Sequence, residues 1–145
     1  MVEYYNVCIA ALYNTVFCTG IQVLYKGYNV LKNQELVFDV DLESFEERVL
    51  QASHEKPVLV DLWAEWCSPC LVIAPVLKRY IEESEGDISL AKVEVDEGEN
   101  MKLAGRYQVR GFPTILLIDK GEEVARFSGA KPLSFIRTFV DEHTC

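Results

Sequence analysis

Two cysteines three residues apart, Cys67 and Cys70 in "WCSPC", are the side chains whose type and spacing point most directly to chemistry. A C-x-x-C pair admits three readings: a redox-active dithiol, half of a metal site, or two small residues filling a core. The chain has no second C-x-x-C, and neither His54 nor His143 stands at metal-ligand spacing from Cys67, so no metal is assigned. The five cysteines, at 8, 18, 67, 70 and 145, are odd in number and irregularly spaced, unlike a small disulfide scaffold. Inert packing fits poorly as well, because Trp63 and Trp66 introduce an otherwise polar, turn-like tetrad.

The flanking segments position the pair. "PVLVDLWA" (57–64) is apolar on both faces except for Asp61, as expected of a central strand covered on both sides. "CLVIAPVLKRYIEESEG" (70–86) reads as a helix up to Gly86, kinked by Pro75. Cys67 therefore follows a buried strand and opens a helix, where unpaired N–H groups and roughly half a positive charge favour a thiolate. It is the expected nucleophile. Cys70, one turn further on, can reach its sulfur and resolve a mixed disulfide. Pro69 sits in the first turn, where its missing N–H costs little, and its ring stiffens the dithiol.

The remaining pattern alternates strands and helices. "LVFDV" (36–40) reads as a strand, and "DLESFEERVLQAS" (41–53) as a helix burying Leu42, Phe45, Val49 and Leu50, with Asp41 or Ser44 as its cap. "ISLAKVEVD" (88–96) is a strand and "NMKLAGRYQV" (100–109) a short helix or turn. "TILLID" (114–119) and "EVARFSG" (123–129) form a hairpin about "DKGE", and "PLSFIRTFVDEH" (132–143) closes as an amphipathic helix. The order β-α-β-α-β-α-β-β-α predicts an α/β fold with a central mixed sheet and helices on both faces.

"VLVDLWAEWCSPC" followed by "IAP", then "AKVEVDE", "YQVRGFPT" and "EEVARFSGA", resembles thioredoxin in order and spacing over about residues 37–144. The resemblance implies the thioredoxin fold and dithiol–disulfide exchange with disulfide-containing protein substrates. It also implies recycling by a flavin- and NADPH-dependent thioredoxin reductase, with no cofactor on the chain itself. Asp61 matches the family's buried acid–base group; burial in an apolar strand raises its pKa, and it would take the proton of Cys70. Its plainer alternative is a hydrogen-bonded structural aspartate. Lys92 resembles the lysine that partners this aspartate, the alternative being an ordinary strand lysine. The loop "GFPT" resembles one in which Pro113 is cis and faces the sulfurs, while the backbone of Phe112 pairs with an extended substrate. Gly111 and Gly129 would let that substrate approach, unless they are simply turn glycines, and Trp66, Phe112 and Ala130 would line a shallow apolar docking surface. Two positions depart from the family pattern: Ser68 replaces a usual glycine and could hydrogen-bond the Cys67 thiolate, and Leu71 replaces a frequent lysine or arginine. Both bear on reduction potential and partner choice. An oxidant or isomerase of the same fold and a non-catalytic interaction module are the rival readings; Pro69 speaks against the first, whose members often place histidine there.

Composition sets the outer bounds. Half of the 145 residues are apolar and 26% are charged, and the net charge of −9 excludes nucleic acid or anionic lipid as main partners. The charge is uneven: residues 1–36 sum to zero and residues 37–145 carry all −9. This shift marks an N-terminal extension of unknown role (1–36) ahead of a redox domain (37–145). Tyr4 to Tyr25 holds no charged residue, and as a helix its 22 residues would span about 33 Å, so membrane association is expected only through residues 4–25. Asn6, Asn14, Thr15, Thr19, Gly20 and Gln22 make it marginal as an anchor, the positive start of a signal peptide is missing, and "IQVLYKGYNVL" also reads as a hairpin. A soluble extension and a cytoplasmic location are the expectation. Cys8 and Cys18 read as apolar fillers, and Cys145 as a reactive free thiol.

Overall fold

The β-branched runs pair into a five-stranded mixed sheet in the computed structural model, which describes residues 35–144. The strands are β1 (Val37–Asp39), β2 (Val58–Trp63), β3 (Ser89–Glu94), β4 (Thr114–Asp119) and β5 (Glu122–Ser128), in the order β1-β3-β2-β4-β5. Both β1 and β2 pair parallel with β3, whereas β4 runs antiparallel to β2 and β5 antiparallel to β4. The readings made for residues 1–34 and for Cys145 lie outside the described residues.

The helical segments are α1, π-helical over Glu46–Gln51 and continued by a 3-10 turn at Ala52–His54, then α2 (Ser68–Glu83), α3 (Met101–Arg106) and α4 (Leu133–His143). The regular helix expected over 41–53 is thus shorter and wider. Asp41 and Ser44 bond each other in a turn ahead of it, Ser44 N donating to Asp41 Oδ1 at 2.8 Å. Leu42 N is taken by Asn100 Oδ1 at 2.8 Å. α2 opens directly after Cys67, which serves as its N-cap, and Pro69 fits the first turn without losing a hydrogen bond, as expected. It continues through Pro75, which lies on the exposed side. Pro132 caps α4 from outside rather than forming its first turn.

Strand periodicity splits the interior into two cores. Val58, Val60 and Leu62 of β2 face Phe45 and Val49 of the α1 region and Leu103 of α3. Leu59 faces the other way, with Ile115 and Leu117 of β4, against Ile73, Leu77 and Ile81 of α2 and Ile136 of α4. β2 is therefore covered on both faces and flanked on both edges, which is why its run is continuously apolar. Edge strand β5 alternates instead, burying Phe127 and exposing Val124 and Ser128.

Leu117 is fully buried in the second of these cores. Truncating it removes transfer energy and leaves a cavity, so Leu117→Ala should destabilise the fold by about 2–5 kcal/mol in urea unfolding with the midpoint slope unchanged.

Candidate active site

β2 carries the chain out of the sheet to Cys67, whose extended backbone (φ −89°, ψ 94°) ends one element and caps the next. Its Sγ accepts a hydrogen bond from the Cys70 amide at 3.3 Å, and its carbonyl accepts from Cys70 N at 3.0 Å and Leu71 N at 3.3 Å. The sulfurs of Cys67 and Cys70 are joined in a disulfide, with Cα atoms 5.3 Å apart. On reduction, the amide already aimed at Cys67 Sγ and the α2 dipole both favour the thiolate at that position. In this disulfide the donor at Cys67 Sγ is the Cys70 amide, while Ser68, like Pro69, faces solvent.

Both cysteines are buried, yet the rim above them is open and apolar. Trp66 is 67% exposed, Leu71 58% and Val72 62%. Trp66 stands edge-on to Phe112 with centroids 6.0 Å apart, and its indole N–H donates to the Asp96 carboxylate. Phe112 also packs on the cluster that contains both cysteines. The Phe112–Pro113 peptide bond is cis, as the resemblance implies. Pro113 itself is buried, and its loop is held by two hydrogen bonds: Thr114 Oγ1 to Gly111 O at 2.7 Å, and Gly129 N to Pro113 O at 2.9 Å. A Cβ built on Gly111 or Gly129 would meet nothing within 4 Å, so the space over both is open; Gly129 in addition needs glycine for its φ of +79°. Ala130, which follows it, is exposed.

Asp61 lies in β2 with 1% of its surface accessible, and its Oδ1 has no hydrogen-bond partner among the described residues. Burial is the main influence and pushes its pKa up to about 7, with the positive charge of Lys92 pulling weakly the other way. Lys92 is the register partner of Asp61 on β3. The expected contact between them is not made: the Lys92 ammonium sits 3.6 Å from Asp39 Oδ1 and 4.7 Å over the Trp63 ring. Lys92 reaches Asp61 through its field alone. Asp39 and Asp96 were not singled out in the sequence; the signal available was their place as charged residues at strand ends beside the site. Among the described residues, no group of His, Cys, Asp or Glu is arranged to hold a metal.

A dithiol that opens a helix under an open apolar rim can exchange its electrons with a disulfide, which makes this chain a thiol–disulfide oxidoreductase. Comparison with known proteins agrees: the family model described as Thioredoxin matches residues 36–142. Thioredoxin of Chlorobaculum thiosulfatiphilum is 39% identical over 106 residues, covering 73% of this chain and 94% of that protein. Thioredoxin C-2 of Corynebacterium nephridii is 43% identical over 101 residues, covering 70% and 90%. The bifunctional thioredoxin reductase/thioredoxin of Mycobacterium leprae is 42% identical over 100 residues, covering 69% of this chain and 21% of that protein. The chain belongs to the thioredoxin family.

The raised Asp61 pKa makes stability fall with pH. Between the usual value of 3.8 and about 7, the unfolded chain gives up a proton that the folded chain keeps, so stability is complete at low pH and is lost as pH climbs through about 7. A shift of this size corresponds to about 4 kcal/mol above pH 7. Asp61→Asn should flatten that slope, gaining stability over the native sequence at pH 8 and none near pH 4, in urea unfolding of the oxidised protein across that range.

Proposed function

We propose that the chain is a protein-disulfide reductase in which Cys67 attacks, Cys70 resolves and Asp61 carries the proton. The observation that supports it most is the Cys70 amide directed at Cys67 Sγ, with Cys70 already within bonding reach. The Cys67 thiolate displaces one sulfur of a substrate disulfide, giving a mixed disulfide and a first substrate thiolate that takes up a proton from water. Asp61, near its midpoint at neutral pH, takes the proton of Cys70. The Cys70 thiolate then attacks Cys67 Sγ and expels the second substrate sulfur, which is protonated in turn. The substrate has gained two electrons and two protons, and Cys67–Cys70 is the disulfide seen here.

Substrate docks on Trp66 and Phe112, with Leu71 and Val72 widening the apolar rim, while the Phe112 backbone pairs with an extended strand. The open space over Gly111, Gly129 and Ala130 supports that approach. Ser68 and Pro69, in the first turn of α2, tune the potential, and Lys92 tunes Asp61 through its field. A thioredoxin reductase is the proposed electron donor, a reading supported by the Mycobacterium leprae relative, whose name joins the two activities. Reduction of protein disulfides places the chain in electron transport and redox homeostasis of a reducing compartment, the cytoplasm. No helix among the described residues is long and apolar enough to cross a membrane. Residues 1–36 are proposed as an extension separate from the redox domain of residues 37–145.

Three outcomes test the scheme with a model protein disulfide as substrate. Cys67→Ser should abolish turnover, whereas Cys70→Ser should accumulate the mixed disulfide on non-reducing gels; a Cys70→Ser protein that never traps substrate would remove the assigned order of attack. Asp61→Asn should slow resolution of a preformed mixed disulfide at pH 7 by about 10²-fold, read by single-turnover release of substrate.

A further inference from the structure

We propose that Asp39 is a positioning residue for the redox reaction: by engaging the Lys92 ammonium at the sheet edge, it keeps that charge off Asp61 and leaves the Asp61 carboxyl unpaired. The inference rests on the reading that Asp61 carries the proton of Cys70.

Asp39, Lys92 and Asp61 occupy one rung across β1, β3 and β2, because Lys92 is the register partner of both aspartates. Paired residues on adjacent strands share a face, and the strands lie about 4.8 Å apart. A lysine on the middle strand can therefore turn its flexible stem to either carboxylate. It turns outward. Its ammonium lies 3.6 Å from Asp39 Oδ1 and over the Trp63 ring, while Asp61 Oδ1 stays without a hydrogen-bond partner. Asp39 is 85% exposed and the Lys92 side chain 29%, on a cleft of about 810 Å³ that both residues line with Trp63 and Glu94.

The physics of this choice is a near balance. Pairing with Asp61 would place a second charge in a desolvated site, which costs more than the attraction returns unless every hydrogen bond is met. Pairing with Asp39 leaves the ammonium partly hydrated and adds the aromatic face. An exposed pair is worth little alone, but a small bias suffices where the inward alternative is itself poor. Asp39 is held for the task, since Arg48 Nη1 donates to its backbone carbonyl at 2.7 Å and leaves its carboxylate to Lys92.

The other groups around Asp61 do not supply the same control. On its face of the sheet β4 presents Ile115, α2 presents Ile73 and Leu77, and α4 presents Ile136. Further along β3, Glu94 also feels Lys92, and its pKa is raised first by burial and then by Glu65, Glu97 and Asp96. Reduced Cys67 and Cys70 complete the titratable set.

The test is a carboxyl-¹³C titration of Asp61 in the full-length protein, assigned with Asp61→Asn, beside the pH profile of mixed-disulfide resolution. Asp39→Asn should release Lys92 inward, lowering the Asp61 midpoint and the acid limb of the rate profile together by about one pH unit. Asp39→Glu should keep both at the native values. In a Lys92→Met background the Asp39→Asn shift should shrink to about 0.3 unit, what a bare charge two strands away exerts through water. An unmoved Asp61 in Asp39→Asn, or an equal shift with Lys92 removed, would overturn the proposal. An Asp61→Asn protein that resolves at the native rate would also overturn it, by removing Asp61 from the reaction. The carboxyl titration tells that failure from a wrong placement of Lys92.

Discussion

The structure depends on one junction, where a fully covered strand hands the chain to a helix whose first turn points the Cys70 amide at a sulfur. The Cys70 N–H reaches Cys67 Sγ only because Cys67 is extended and the residues after it are helical. That geometry in turn needs β2 to end at a fixed place. Pairing with β3 on one edge and β4 on the other, and cores on both faces, leave β2 no freedom to slip, because a one-residue shift would turn every apolar side chain to the wrong face. The mixed sheet thus acts as the mount that aims one amide at one thiol.

The same junction imposes a cost. Asp61 lies in the middle of the most buried strand with an oxygen that no described residue satisfies. An apolar residue there would make a better core. What stands there instead is a carboxyl whose pKa burial pushes up to about 7, in the strand that leads to the dithiol. Its surroundings are kept low in charge by apolar Ile115, Ile73 and Leu77 and by the outward turn of Lys92.

Much of this was legible in local pattern. The hairpin strand at 114–119 is found at the expected residues, and Asp61 announced itself as the single polar interruption of an apolar run. The two cysteines at a strand–helix boundary pointed to a dithiol, whereas the cis bond at Pro113 was expected only through the family resemblance of "GFPT". The parts that escaped depend on pairings distant in sequence. Lys92 turns to Asp39 because the strand order puts β1 beside β3, a neighbour relation that no local period encodes. Trp66 meets Asp96 for a similar reason, since the end of β3 lies beside the end of β2. The wide π-helical winding over Glu46–Gln51 is a further feature that hydrophobic periodicity does not register.

The central claim is that this junction makes Cys67–Cys70 a reductant of protein disulfides. The most direct measurement is the equilibrium reduction potential of the pair against glutathione. The account predicts a value near about −270 mV, the figure already established for thioredoxins as a class. A value near about −120 mV would mean that the reduced dithiol is too stable to give up its electrons, and would contradict the account.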